Sequence, residues 1–148
     1  MNTTTVARDY HCSISFNGTA REAFDRIGQV RGWWAKNLEG QSQHAGDVFT
    51  VRFGTTWVTF RITEVIPNNT IVWKVIDSFI PRLNDKKEWN GTTVVWEISS
   101  EGKSTNIKMT HVGLVPEVEC YEMCEDGWNR HIKNSLLKLI TEQKGNPT

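Results

Sequence analysis

At 148 residues, with 38% hydrophobic and 23% charged side chains, the chain has the proportions of one globular domain that buries about 68–70% of its unfolded surface around a single core. Seventeen basic residues balance seventeen acidic ones, which excludes the broad positive field that holds nucleic acid or an anionic membrane. The opening MNTTTVARDYHC lacks an apolar leader, and no run of about 18 apolar residues appears, so a cytoplasmic protein without a membrane span is expected. Three cysteines, an odd count in a domain that needs no staples, predict free thiols and no disulfide. One domain over 1–148 is expected, with residues 1–8 and 144–148 as loose tails.

In chain order, YHCSISF alternates Tyr10, Cys12, Ile14 and Phe16 against His11, Ser13 and Ser15, the pattern of a half-buried strand. GTAREAFDRIGQVRGWWAKN changes to helical spacing. Thr19 and Glu22 form a capping box, and Gly28 and Gly32 divide the segment into two short helices. After a polar loop, period two returns in VFTVRF (Phe49, Val51 and Phe53 inward), WVTFRITEVI (Val58, Phe60 and Ile62 inward) and TIVWKVID (Ile71, Trp73 and Val75 inward). Pro67 to Thr70 join the last two as a hairpin. TVVWEIS and TNIKMTH follow, turning at Glu101-Gly102, with Ser100 paired to Lys103 so that Ile98 faces Thr105, Trp96 faces Ile107 and Val94 faces Met109. Five strands without an intervening helix predict an antiparallel meander.

The stretch YEMCEDGWNRHIKNSLLKLI closes the pattern. At about 100° per residue, Tyr121, Trp128, Ile132, Leu136 and Leu139 share one arc, opposite Asp126, Arg130, Lys133 and Asn134, as on a helix with one buried face. Gly127 falls on the flank of that arc. Its cost of about 1 kcal/mol relative to Ala is offset by burying Trp128, and the expectation is that it permits a bend or a close-passing loop rather than making room in the core.

The ordered set FDRIGQVRGWWAKN, GDVFTVRF, EWNGTTVVWEIS, THVGL and GWNRHIKNSLLKLI resembles the activator of heat shock protein 90 ATPase homologue-like family, in the START-like, birch-pollen-allergen-like (SRPBCC) helix-grip superfamily. The resemblance covers nearly the whole chain. It implies an α+β helix-grip fold: a curved six-strand antiparallel sheet wrapped around a long C-terminal helix, with two short helices after strand one. The space between sheet and helix often holds a hydrophobic ligand in that superfamily, whose members include lipid carriers, hormone receptors, cyclases and chaperone cofactors.

The inward side chains assemble a candidate ligand wall of Val51, Phe60, Trp73, Val75, Trp96 and Met109, closed by Tyr121, Trp128 and Ile132. The other reading is a core filled by its own tryptophans, of which the chain has seven. A dry void of roughly 300 Å³ would cost about 7 kcal/mol, comparable with a domain's whole stability, so such a space must be occupied, hydrated or collapsed. His111 lies on the inward face of the last strand, and Asp77 and Glu64 continue the inward parity of theirs. These polar groups are available to orient a ligand or to act as acid and base, whereas the plainer reading gives His111 an internal hydrogen bond and the carboxylates to water.

Cys120, Cys124 and His131 share one helix flank but lack a fourth ligand, so neither metal nor cofactor is expected. Trp89, after the charged DKKE, either closes a pocket mouth or pins its loop. No phosphate-binding glycine loop or nucleophile elbow is present. The function expected is non-enzymatic binding of an apolar or amphipathic small molecule between sheet and helix, by a monomer or homodimer. The alternative is a chaperone-cofactor role with a protein partner, and the third reading is a cyclase or hydrolase using His111 with Asp77 or Glu64.

Overall fold

The structure, a computed structural model, describes residues 8–148. The loose N-terminal tail expected from the sequence lies, for residues 1–7, outside the described residues. Strand β1 (Tyr10–Asn17) buries every second side chain, as its alternation predicts. Thr19 then caps helix α1 (Ala20–Gly28): its hydroxyl accepts from the Glu22 amide at 3.1 Å, and the Glu22 carboxylate accepts from the Thr19 amide at 2.9 Å. Gly28 ends α1, but Gly32 sits inside the next helix, α2 (Val30–Trp33), instead of dividing the two. A Cβ at Gly32 would stand 3.1 Å from the Leu139 side chain, so this glycine permits close helix packing.

Among the described residues the sheet has seven strands, one more than expected, in the order β1-β7-β6-β5-β4-β3-β2, all antiparallel. The additional strand is β2 (Asn37–Gly40). Its NLEG sequence neither alternates nor favours strands; it forms as an edge paired to β3 alone. Gly40, at φ +89°, lets the backbone pass where a Cβ would run into the Val48 carbonyl. The meander follows as read: β3 (Val48–Phe53), β4 (Thr56–Ile66), β5 (Thr70–Phe79), β6 (Thr93–Glu101) and β7 (Ser104–Val112).

Three details of the meander differ from expectation. The β4–β5 turn occupies Pro67 to Asn69, with Asn68 left-handed at φ 62° and Thr70 already paired to Ile66. The β6–β7 register is displaced by two residues, Glu101↔Ser104 and Trp96↔Met109, because Gly102 and Lys103 form the turn and only Gly102 takes positive φ. A two-residue displacement keeps every side chain on its own face. Bulges break the parity near the strand ends, where β4 skips Thr63 and β5 skips Ile76. Glu64 is thereby exposed and Asp77 diverted to a surface pair with Lys87 (2.9 Å), so neither continues the inward face.

The C-terminal helix runs as α3 (Tyr121–His131), a π-helical turn (Ile132–Leu136) and α4 (Leu137–Glu142). Its irregularity is therefore the π turn, not Gly127. That turn presents the Ser135 hydroxyl, which donates to the Trp33 carbonyl at 2.7 Å and accepts from the Asn146 amide at 2.6 Å. The C-terminal segment expected to be loose is tied down. Thr148 donates its amide to the Trp34 carbonyl (2.9 Å), its carbonyl accepts from the Lys36 amide (3.0 Å), and its hydroxyl meets His131 Nε2 at 2.6 Å.

The expectation of three free thiols is also corrected. Cys120 and Cys124 form a disulfide across one helical turn, with Cα atoms 5.6 Å apart, and Cys12 remains free and buried. Positions i and i+4 stand side by side on a helix, which brings the two sulfurs within bridging reach. One core cluster joins the inward strand residues to Trp128, Ile132, Leu136, Leu139 and Ile140 of the helix. This is the helix-grip arrangement.

Candidate functional site

The inward aromatic side chains do not leave a hollow at the centre of the sheet. Trp33 and Trp34, at the end of α2, insert between sheet and helix. Trp33 meets Trp96 edge-to-face at 5.5 Å, while Trp34 stacks on Trp73 at 6.2 Å and tilts against Trp128 at 4.7 Å. Phe49, Phe60 and Trp73 complete the stack. Val51, Phe60, Trp73, Val75, Trp96, Met109 and Ile132 are all buried within one core cluster. Tyr121 is half-buried and turns its hydroxyl to Glu125.

Open space begins on the other side of Trp34 and Trp128. A cavity of about 260 Å³ lies between the 80–89 loop, α3 and the turn linking β3 to β4, walled by Trp34, Phe53, Val58, Ile80, Trp89 and Trp128. Its mouth is framed by the exposed Arg82, Met123 and Arg130. Gly127 and His131 line it from the helix, and Thr148 from the C-terminal segment. No heavy atom lies within 4 Å of where a Gly127 Cβ would stand. The glycine flagged in the sequence thus leaves room at the cavity wall, rather than bending the helix. Two other depressions, near residues 28–43 and 24–71, are bordered largely by polar side chains and glycines and have no comparable aromatic wall.

The loop that supplies Ile80 and Trp89 is held from both ends. Glu88 reaches to the start of α3, where its two carboxylate oxygens accept the amides of Glu119 (3.1 Å) and Cys120 (3.0 Å); a negative group there complements the helix dipole. Glu119 in turn accepts from the Asn84 amide at 2.9 Å. Trp89, 7% exposed, lies parallel to Trp128 at 6.1 Å and edge-on to His111 at 4.6 Å. It therefore both pins the loop and forms a wall of the cavity.

His111 is the hub behind that wall. The Trp128 indole N–H donates to its Nδ1 at 3.1 Å, and an indole nitrogen cannot accept, so Nε2 carries the ring proton and donates to the Thr92 hydroxyl at 2.9 Å. The Thr92 hydroxyl in turn donates to the Trp89 carbonyl at 2.7 Å. Full burial pushes the His111 pKa down to about 3, so the ring is neutral. Both nitrogens are occupied and neither Asp77 nor Glu64 is among their partners; Asp77 instead bonds Lys87, Asn90 and the Ser78 amide. The acid–base pairing considered from the sequence has no geometry here.

His131 donates Nδ1–H to the Gly127 carbonyl at 2.8 Å, which leaves Nε2 to accept from Thr148. Burial is the main cause holding its pKa below the ordinary value, with Arg130 adding to it. Among the described residues no cluster of His, Cys, Asp or Glu suits a metal ion, and no helix is long and apolar enough to cross a membrane.

Of the candidate ligand wall read from the sequence, Trp128 alone borders the cavity, while His111 orients it from behind; Trp89, Cys124, Gly127 and His131, noted in the sequence on other grounds, border it as well. Trp34, Phe53, Val58 and Ile80 complete the wall. Phe53 and Val58 were legible as inward by parity, and the Trp33-Trp34 doublet was a signal that two large rings enter the core from one short helix. Nothing in the local pattern marked Ile80, Arg82 or Arg130.

No curated protein matches the chain. Its fold is similar to the solution structure of the Aha1 dimer from Colwellia psychrerythraea, at 18% identity and TM-score 0.75 over 93% of this chain and 98% of that one. It is similar as well to protein MLL2253 from Mesorhizobium loti (12% identity, TM-score 0.68, 90% and 98% covered) and to CalU16 from Micromonospora echinospora (12%, 0.68, 93% and 76%). At such identities the likeness is one of fold. A family model described as Activator of Hsp90 ATPase homolog 1-like protein matches residues 22–141, and the chain belongs to that family.

Proposed function

We propose that this protein binds an apolar or amphipathic small molecule, without chemistry on it, in the cavity between α3, the 80–89 loop and the β3–β4 turn. The observation that carries the reading is an aromatic-walled space of about 260 Å³ kept open by a mid-helix glycine. The space opens to solvent at its mouth, and a guest that covers the faces of Trp34, Trp89 and Trp128 gains about 25 cal/mol for each Å² of apolar surface it removes from water. Trp34, Trp89 and Trp128 are the contact residues, and Val51, Phe60, Trp73, Val75, Trp96, Met109 and Ile132 form the packed layer behind them, with His111 holding Trp128 in place.

Fluorescence titration with N-phenyl-1-naphthylamine tests this. The wild type is expected to enhance the dye's emission saturably, and Gly127→Leu, which places a side chain in the cavity, to bind it at least tenfold more weakly while melting at an unchanged or higher temperature. Absence of saturable binding by the wild type, or equal binding by the variant, would end the proposal.

A second reading is a protein-interaction role, supported by the family description and by the likeness to a dimeric Aha1. Exposed Val48, Ile66, Ile76 and Met123 offer it apolar surface. Light scattering of the purified chain distinguishes a homodimer from a monomer.

A further inference from the structure

We propose that the cavity selects an anionic amphiphile, its oxyanion head held by Arg82 and Arg130 at the mouth and its apolar body by Trp34, Trp89 and Trp128; this rests on the cavity being a ligand site. The residues bordering the cavity include two arginines and no aspartate or glutamate. Elsewhere the chain gives its arginines oxygen partners: Arg8 pairs with Glu117, Arg21 with Asp25 and Arg52 with Glu39, while Arg26 donates to Gln29 and Arg31 to the Leu38 carbonyl. Among the described residues, Arg61, Arg82 and Arg130 have none, and two of these three flank one opening.

Arg82 makes a single hydrogen bond, from Nη1 to the Met123 thioether at 3.1 Å, which leans it across the mouth from loop to helix. A thioether is a weak acceptor, so most of the guanidinium's five donors remain for another group. A guanidinium is weakly hydrated and forks onto carboxylate oxygens in pairs, which suits it to an oxyanion at an apolar rim. A cationic guest meets repulsion from both arginines, and a neutral hydroxyl accepts a weaker hydrogen bond from them than an oxyanion does. At roughly 30 Å³ per water-sized unit, the cavity holds a body of about nine non-hydrogen atoms.

Calorimetric titration with decanoate and decan-1-ol, which share one ten-carbon chain, is the test. In low salt the wild type is expected to bind decanoate about tenfold more tightly, the scale of one charge-assisted contact, and 0.15 M salt should narrow the ratio. In the double variant Arg82→Gln, Arg130→Gln the two affinities should converge within about threefold, with decan-1-ol binding unchanged. Both arginines are exposed, so the fold should tolerate the change, and a melting curve checks that it does. Equal binding of the two compounds by the wild type, or a preference that survives in the double variant, overturns the anion selectivity and leaves the cavity as a neutral site. Failure of both compounds to bind removes the selectivity and the ligand-binding function together.

Discussion

Replacing Gly127 by Ala should raise stability, because the structure assigns that glycine no packing duty. Glycine in a helix interior costs about 1 kcal/mol relative to alanine. An added methyl usually returns part of that gain as overpacking. At Gly127 nothing lies within 4 Å of the new Cβ, so the full amount should appear. For a domain of this size, about 1 kcal/mol corresponds to a rise of roughly 2–4 °C in melting temperature, well within the resolution of scanning calorimetry. Gly32 is the internal control, since there a Cβ presses to 3.1 Å on Leu139, and Gly32→Ala should gain little or lose. A lower melting temperature for Gly127→Ala would mean that atoms fill the space beside the helix, and the cavity with its proposed function would go. A rise in both variants would show that helix propensity alone governs the two sites.

Three further predictions follow from the buried network and the sulfurs. His111 has its folded pKa depressed from the ordinary 6.5 to about 3 by burial, so between those values the unfolded chain holds one more proton than the native one. Its contribution is complete above about pH 6.5 and is lost as pH falls, by up to about 1.4 kcal/mol per pH unit; urea unfolding across pH 7 to 4 should show this slope, with ring resonances of His111 neutral throughout. Trp128→Phe preserves an apolar ring but strips His111 Nδ1 of its donor in a buried site, and should cost about 1–3 kcal/mol by the same assay. Alkylation of the denatured chain without reductant should label Cys12 alone, and with reductant all three cysteines; labelling of three at the outset would refute the Cys120–Cys124 bridge.

The parity of β3 to β7 was readable because burial on one face imposes period two on the sequence, and Phe49, Val51, Phe60, Trp73 and Trp96 all lie where that period puts them. The bulges at Thr63 and Ile76 were not readable: an inserted residue changes facing without changing composition, and Glu64 and Asp77 were assigned inward for that reason. Strand β2 escaped because an edge pair of four residues needs only backbone bonds. The apolar stripe of the C-terminal helix was legible, yet the π turn at Ile132–Leu136 was not, since it follows from the Ser135 clamp on Trp33, 102 residues away in sequence. Similarly, the cavity depends on where Trp34 and the 80–92 loop come to rest. Trp34 seals the space behind it by stacking on Trp73, and Glu88 swings the loop onto α3; both are long-range contacts that carry no period.

The indole N–H resonances of the tryptophans give the most direct test, because the seven rings report from separate places. In a two-dimensional proton–nitrogen spectrum titrated with decanoate, the account predicts the largest shifts at Trp34, Trp89 and Trp128, which wall the cavity, and small ones at Trp96, sealed in the core, and at Trp57, stacked on Phe79 outside it. Shifts centred on Trp57 or on Trp96, or seven unmoved resonances at saturating ligand, would contradict it.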